Sequence, residues 1–189
     1  MPRLTGGRIV LRAVDEADAA GILSIFGDPE VVRYWSRPPL ADLAAASTFL
    51  DEMQEDFFRR RGFHWAIAEA ASDPSQAGPR QPGQMIGTCK LGALSFRHRR
   101  AEVGFLLRRD RWGQGLAADA LAVLFGFCFG RLGLHRLEAD VDPENAASLR
   151  LLEKLGFQRE GRLRERWQTQ GDARDAIFLG LLRPEWRNP

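Results

Sequence analysis

Polar and apolar positions alternate over Arg8-Ile9-Val10-Leu11-Arg12, which predicts an opening strand. Asp15 then stands as an N-cap for a helix running to about Phe26. Asp28-Pro29-Glu30 starts a short helical turn carrying Val31, Val32 and Tyr34, and Pro38-Pro39 breaks it. From Asp42 to about Arg60, Leu43, Ala46, Leu50, Met53 and Phe57 fall on one face of a longer amphipathic helix. Phe63 to Ala68 reads as a second strand and Met85 to Leu91 as a third. Between them, residues 71–83 are rich in Ser, Pro, Gly and Gln. Because the strand pattern resumes at once, this segment reads as a mobile loop within one domain and not as a linker.

Ala101 to Leu107 is a further strand, and Leu116 to Phe129 a helix with Leu116, Ala120, Leu124 and Phe127 at helical spacing, ended at Gly133. Arg136 to Val141 alternates again, so strand, helix and strand make one parallel crossover. Asp142-Pro143 offers an N-cap and first-turn proline for a helix bearing Leu149, Leu152 and Leu155, with Gly156 as its left-handed end. Phe157 to Arg164 and Ala176 to Leu182 close the chain as two strands joined at Gln170-Gly171-Asp172. The pattern predicts one α/β (α+β) domain over 1–189: a mixed, mostly antiparallel central sheet of about seven strands with one parallel crossover and helices on both faces.

Composition narrows the function classes. The chain has 189 residues, 44% hydrophobic and 28% charged, enough for a core and unlike a disordered chain. A net charge of +2 does not mark a dedicated nucleic-acid binder. The longest nearly apolar run, Gly115 to Gly130, is interrupted by Asp119 and too short to span a bilayer, and Met1 to Thr5 lacks the apolar core of a signal peptide. Cys89 and Cys128 sit in apolar periodic segments without metal-ligand spacing, which reads as two buried thiols in a reducing, cytoplasmic compartment.

The chemistry concentrates in Arg108-Arg109-Asp110-Arg111-Trp112-Gly113-Gln114-Gly115-Leu116-Ala117, between a strand and a helix start. Glycine lets a ligand approach the backbone, and the first N–H groups of a helix suit a phosphate or pyrophosphate. Three arginines add forked positive donors. Gly113 to Ala118 also fits G-x-G-x-x-A, a variant of the dinucleotide fingerprint, with Asp140 near the end of the next strand. Against that reading, the fingerprint belongs to the first of several βαβ units, whereas this chain has a single late one. It also leaves Asn145 and Ser148 idle, an amide and a hydroxyl three residues apart on one helix face.

Ala101-Glu102-Val103-Gly104-Phe105, Trp112 to Ala117, Leu134-His135-Arg136-Leu137-Glu138 and Asn145 to Phe157, in that order, resemble the GNAT acetyltransferase superfamily. Within it the chain is most similar to the branch that acetylates N-terminal amines of ribosomal proteins. The resemblance implies acetyl-CoA as acetyl donor, no metal, and direct transfer to an amine in a ternary complex. It assigns the pantetheine arm to the backbone of Phe105, Leu106 and Leu107. Arg109, Trp112, Gly113, Gln114, Gly115, Leu116 and Ala117 would serve the pyrophosphate. Asn145 would hold the pantetheine or acetyl end, with Ser148 facing the sulfur. Glu102 is the candidate base, or else a surface carboxylate paired with Arg99 or Arg100. Many relatives carry a tyrosine where this chain has Leu152, which leaves Ser148 as the donor toward the leaving thiolate. Tyr34, Trp35 and Trp65 are candidates to line the acceptor pocket or pack the core. His64 could face either side, His98 reads as a solvated turn residue and His135 as structural. The acceptor is an amine, a protein N-terminus or a small molecule, with no membrane or nucleic-acid partner, for a monomer or homodimer. A non-catalytic acyl-CoA-binding module and a dinucleotide-binding domain are the alternatives.

Overall fold

The computed structural model describes residues 1–70, 82–169 and 171–187; the expected loop over 71–83 lies largely outside them, as does Gln170. The elements are β1 (Leu4–Thr5), β2 (Ile9–Ala13), α1 (Ala19–Phe26), α2 (Leu43–Phe58), β3 (Gly62–Ala70), β4 (Pro82–Ser95), β5 (Arg100–Leu107), α3 (Leu116–Gly126), β6 (Arg136–Val141), α4 (Ala146–Lys154), β7 (Gln158–Thr169) and β8 (Asp172–Leu182). They form one eight-stranded sheet in the order β1-β2-β3-β4-β5-β6-β8-β7. Only β5 and β6 run parallel. The strand beyond the seven legible in the pattern is β1, whose two residues are too short to show alternation.

Period-two alternation sends successive side chains to opposite faces, and each face has its own core. Ile9, Leu11, Trp65, Ile67, Val103, Leu137 and Leu179 pack with Leu121, Leu124 and Phe125 of α3 and Leu149 and Leu152 of α4. On the other face Ala66, Met85 and Leu106 meet Ile22 and Phe26 of α1 and Phe49, Leu50 and Met53 of α2. Burying each large apolar side chain contributes about 1.5–3 kcal/mol, so both helix layers are held to the sheet by area. Cys89 and Cys128 are free, buried thiols, and burial pushes both up. No helix among the described residues is long and apolar enough to cross a membrane.

Several ends differ from the pattern for local reasons. Asp15 caps a 3-10 turn, Glu16–Asp18, and α1 begins only at Ala19. After Gly126, α3 passes into a wider π turn over Phe127–Arg131, which keeps Cys128 and Phe129 buried before Gly133 reverses the chain at φ +65°. The N-cap of α4 is Asn145, not Asp142. Asp142 Oδ1 instead accepts from the Glu144 N–H at 2.8 Å, closing a turn just before the helix. Gly156 ends α4 at φ +99°, as its position predicts.

The site is positioned by an incomplete strand pair. Parallel pairing of β5 with β6 runs from Arg100↔Arg136 to Glu102↔Glu138 and stops there, although β5 continues to Leu107 and β6 to Val141. Beyond Glu102 the two strands splay, and the sheet opens at its centre.

Candidate active site

The opening exposes backbone that a normal sheet would pair. The Arg108 N–H donates to Ile86 O on β4 at 2.8 Å, and the β4–β5 register is unbroken from Gly87↔Leu107 to Gly92↔Glu102. Bonded positions alternate in an antiparallel pair, so even-numbered residues of β5 bond β4. The last parallel bridge, Glu102↔Glu138, uses the Val103 N–H, so the Val103 C=O and the N–H and C=O of Phe105 face the gap. Leu107 O, on the same side, accepts from Trp112 Nε1 at 2.8 Å. Trp112 thereby ties the turn after β5 back to the strand.

That turn places a helix start at the mouth of the gap. Gly113 and Gly115 adopt φ +72° and +76°, and Gly115 caps α3 with no side-chain bond. The first intrahelical bond is Asp119 N to Gly115 O at 3.1 Å, so the N–H groups of Leu116, Ala117 and Ala118 have no helical partner. All three residues line a cavity of about 540 Å³, together with Phe105, Leu106, Leu107, Trp112, Gly113, Gly115, Asn145 and Ser148. Arg8 braces the arrangement, with Nε donating to Asp119 Oδ2 at 2.7 Å and Nη1 to Gln114 O at 3.0 Å.

The arginines of this stretch divide. Arg111 lines the cavity, with Nε 3.2 Å from Glu69 and Nη1 donating to Asp110 Oδ2 at 2.8 Å. Arg108 is engaged by both oxygens of Asp110. Arg109 is exposed on a 3-10 turn and lies outside the cavity lining, as does Gln114. Glu30 and Arg33 join the lining without any sequence signal that named them, while Tyr34, expected at the acceptor pocket, and Ala118, the last residue of the glycine motif, line it as well.

A second cavity, of about 390 Å³, lies toward α1 and α2 and includes Trp35, Glu52, Asp56, His64, Lys90, Gly104 and Asp140. Six residues line both cavities: Val31, Tyr34, Phe105, Leu106, Asn145 and Ser148. The structure therefore brings Asn145 and Ser148 to the junction, but not as two residues of a helical turn. Asn145 Oδ1 accepts from the Ser148 N–H at 3.1 Å, so its carbonyl is spent on the cap and its NH₂ remains as donor. Replacing Asn145 by Ala should lower stability by about 0.5–2 kcal/mol through the lost cap, read as a fall in Tm, while Asn145→Asp should keep the cap. Tyr34, far upstream in sequence, reaches the same junction by donating its hydroxyl to Glu144 O at 3.2 Å. Leu152 is buried and lines the second cavity with an apolar side chain.

Glu102 faces the same side of the sheet as Lys90 and Asp140, outside the lining of either cavity. Arg100 pairs with Glu138 instead, and Arg99 Nε donates to Gly133 O at 2.8 Å. Among the described residues no hydrogen bond or ion pair holds the Glu102 carboxylate. Burial pushes its pKa up, and the neighbouring charge of Asp140 adds to the rise. His64 is buried in the second cavity against Asp56 at 3.2 Å, and burial lowers its pKa. His98 and His135 are exposed, and Trp65 is buried on the opposite face with Nε1 donating to Pro2 O at 3.1 Å.

A splayed parallel pair, an uncapped helix start and two joined cavities suit a long phosphorylated thioester on one side and its acceptor on the other. Comparison with known proteins gives the family. The Acetyltransferase (GNAT) domain family matches residues 8–158. The chain belongs to the GNAT acetyltransferase family. It is similar to an uncharacterised N-acetyltransferase, p20, of Bacillus licheniformis, 31% identical over 186 residues that cover 98% of this chain and 99% of that one. It is 26% identical to the spermidine N(1)-acetyltransferase of Escherichia coli K12 over 94% of this chain and 88% of the other. The structure of Mycobacterium smegmatis RimJ in complex with CoA-disulfide superposes with a TM-score of 0.80 at 25% identity, over 97% of this chain and 87% of that one. The GNAT fold and acetyltransferase activity are thereby shown, and the dinucleotide reading of Gly113 to Ala118 gives way to them.

Proposed function

We propose that this GNAT enzyme transfers the acetyl group of acetyl-CoA to a primary amine by direct attack within a ternary complex. The observation that carries this reading is the junction of the two cavities at Phe105, Asn145 and Ser148. The larger cavity suits the donor. Unpaired N–H groups of Leu116, Ala117 and Ala118 suit the pyrophosphate, where helix start and absent Cβ atoms favour an anion. Arg109 and Gln114 would contribute at the mouth through backbone or a moved side chain. The free edge at the Val103 C=O and at Phe105 suits the amides of the pantetheine arm, with Leu106 and Leu107 along it.

At the junction the amine must be unprotonated to attack. Glu102 is the base in this account, drawing the proton through water, since it has no competing partner and an elevated pKa. The Phe105 N–H supplies a donor to the carbonyl oxygen as negative charge develops on it. Asn145, through its NH₂, holds the donor's end, and Ser148 gives a hydrogen bond to the departing thiolate. Leu152 supplies no proton, and a CoA thiolate leaves without one.

Ser148→Ala should therefore lower kcat about tenfold or more, because a hydrogen bond to a charged group is worth about 1.5–3 kcal/mol, and leave acetyl-CoA affinity nearly unchanged. Steady-state kinetics beside calorimetric titration separates the two. An equal loss in both would place Ser148 in cofactor binding alone. The acceptor class spans protein N-terminal amines and small amines, the latter the class named for the spermidine relative, and a cytoplasmic enzyme meets both.

A further inference from the structure

The second cavity carries four carboxylates, Glu52, Asp56, Asp140 and Asp142. Three are engaged. Arg37 Nη1 donates to Glu52 at 2.6 Å, and Asp56 accepts from Arg61 Nε at 3.0 Å with His64 at 3.2 Å on its other oxygen. Asp142 accepts the Glu144 N–H on one oxygen and has Arg174 at 3.9 Å from the other. Asp140 differs. Its side chain is 3% exposed, and Arg166 Nε donates to Oδ2 at 2.8 Å. Its Oδ1 is buried and has no hydrogen-bond partner among the described residues. A buried carboxylate oxygen without a donor is costly, so this oxygen is poised to accept one.

The position of Asp140 says what would complete it. It lies two residues past Glu138, where β6 parts from β5, and lines the cavity that Asn145 and Ser148 close at the donor end. Of the two substrates, the acceptor is the one that enters this cavity in the reading above. We propose that Asp140 is the anchor of the acceptor's ammonium group, and that the cavity selects an amine with one positive charge. The inference rests on the amine-transfer reading above. In it the carboxylate turns about χ2, keeps Arg166, and gives its free oxygen to the incoming N–H. One charge-assisted bond then fixes the amine beside the thioester before Glu102 takes its proton. A polyamine would bring further cations to Glu52, Asp56 and Asp142, which already have arginines or backbone donors. A peptide N-terminus with neutral first residues brings none. Asp140 thus binds and positions, and Glu102 performs the proton transfer.

The test uses the enzyme saturated with CoA, titrated with n-butylamine and, separately, spermidine, followed by backbone amide shifts. Butylammonium should move the amides of residues 139–141 and Ser148, and Asp140→Asn should weaken its binding about tenfold or more, the worth of a charge-assisted bond. CoA affinity should stay unchanged. Spermidine should bind no tighter than its number of amines allows statistically. The proposal is overturned if butylammonium leaves these amides unmoved, or binds Asp140→Asn as well as the wild type. It is also overturned if spermidine binds about tenfold tighter than butylamine with shifts at Glu52 and Asp56, since that marks further free cation sites. Should Asp140→Asn not fold, Arg166→Gln decides. Removing that half-exposed partner should tighten butylammonium binding, and an unchanged affinity overturns the proposal. Failure of the broader reading would look different, because CoA itself would then not saturate the enzyme.

Discussion

Gly115→Val should reduce acetyl-CoA affinity by about 100-fold or more, the loss of one or two hydrogen bonds to a charged group at about 1.5–3 kcal/mol each. Gly115 sits at φ +76°, where a β-branched residue is a steric outlier and an L-residue costs about 1–2 kcal/mol. A Cβ there would also stand 3.0 Å from Arg8 Nη2. Arg8 is the brace between Gln114 O and Asp119, so pushing it aside loosens the turn that aims the N–H groups of Leu116 to Ala118. Gly113 makes the control. It has a similar φ of +72°, but its added Cβ would meet nothing within 4 Å. Gly113→Ala should therefore show only the backbone cost and a smaller loss of affinity. Calorimetric titration of both variants checks the pair, with Tm as the fold control. Normal binding by Gly115→Val would show that the pyrophosphate does not use this turn.

Glu102→Gln should lower kcat by about 10²–10⁴, the range for a positioned general base, with acetyl-CoA binding unchanged. The pH dependence carries a sign. Glu102 acts when ionised, so the rate should fall as pH drops through its pKa. Because burial and Asp140 raise that pKa, the falling limb should lie above the ordinary carboxylate range. In Glu102→Gln the limb should vanish. Stability works in the opposite direction. A carboxyl whose pKa rises on folding is favoured in its neutral form, so its contribution is present at low pH and lost as pH rises through the folded value. Glu102→Gln should therefore be at least as stable as the wild type at neutral pH, and its loss of rate cannot be ascribed to unfolding. An unaltered pH profile in the variant would remove Glu102 from the chemistry.

The sheet was legible because its signal is local. Ile9, Leu11, Trp65, Ile67, Val103 and Leu137 alternate in the chain and share one face in space. The parallel pair was equally legible, since a strand, a helix and a strand in succession leave few other topologies. The turn at Gly113 and Gly115 announced itself through glycines that the backbone needs at positive φ. Caps were harder. Asp142-Pro143 and Asn145 both carry the chemistry of a helix start, and only the geometry shows that Asp142 closes a turn while Asn145 makes the cap. Arg109 and Arg111 are neighbours in composition, but the 3-10 turn rotates one to solvent and the other to the cavity. Tyr34 bonds to Glu144 across 110 positions, a contact no periodicity encodes. Asp140 appeared in the chain as an alternating polar position, and its missing partner is a property of packing alone.

The central claim is that the gap between β5 and β6 holds acetyl-CoA. Calorimetric titration of the purified protein with acetyl-CoA, with NADH and NADPH in parallel cells, tests it most directly. The account predicts saturable binding of acetyl-CoA at one site and none of either dinucleotide. Binding of a dinucleotide without acetyl-CoA would contradict it, and Asn145 and Ser148 at the cavity junction would then need another explanation.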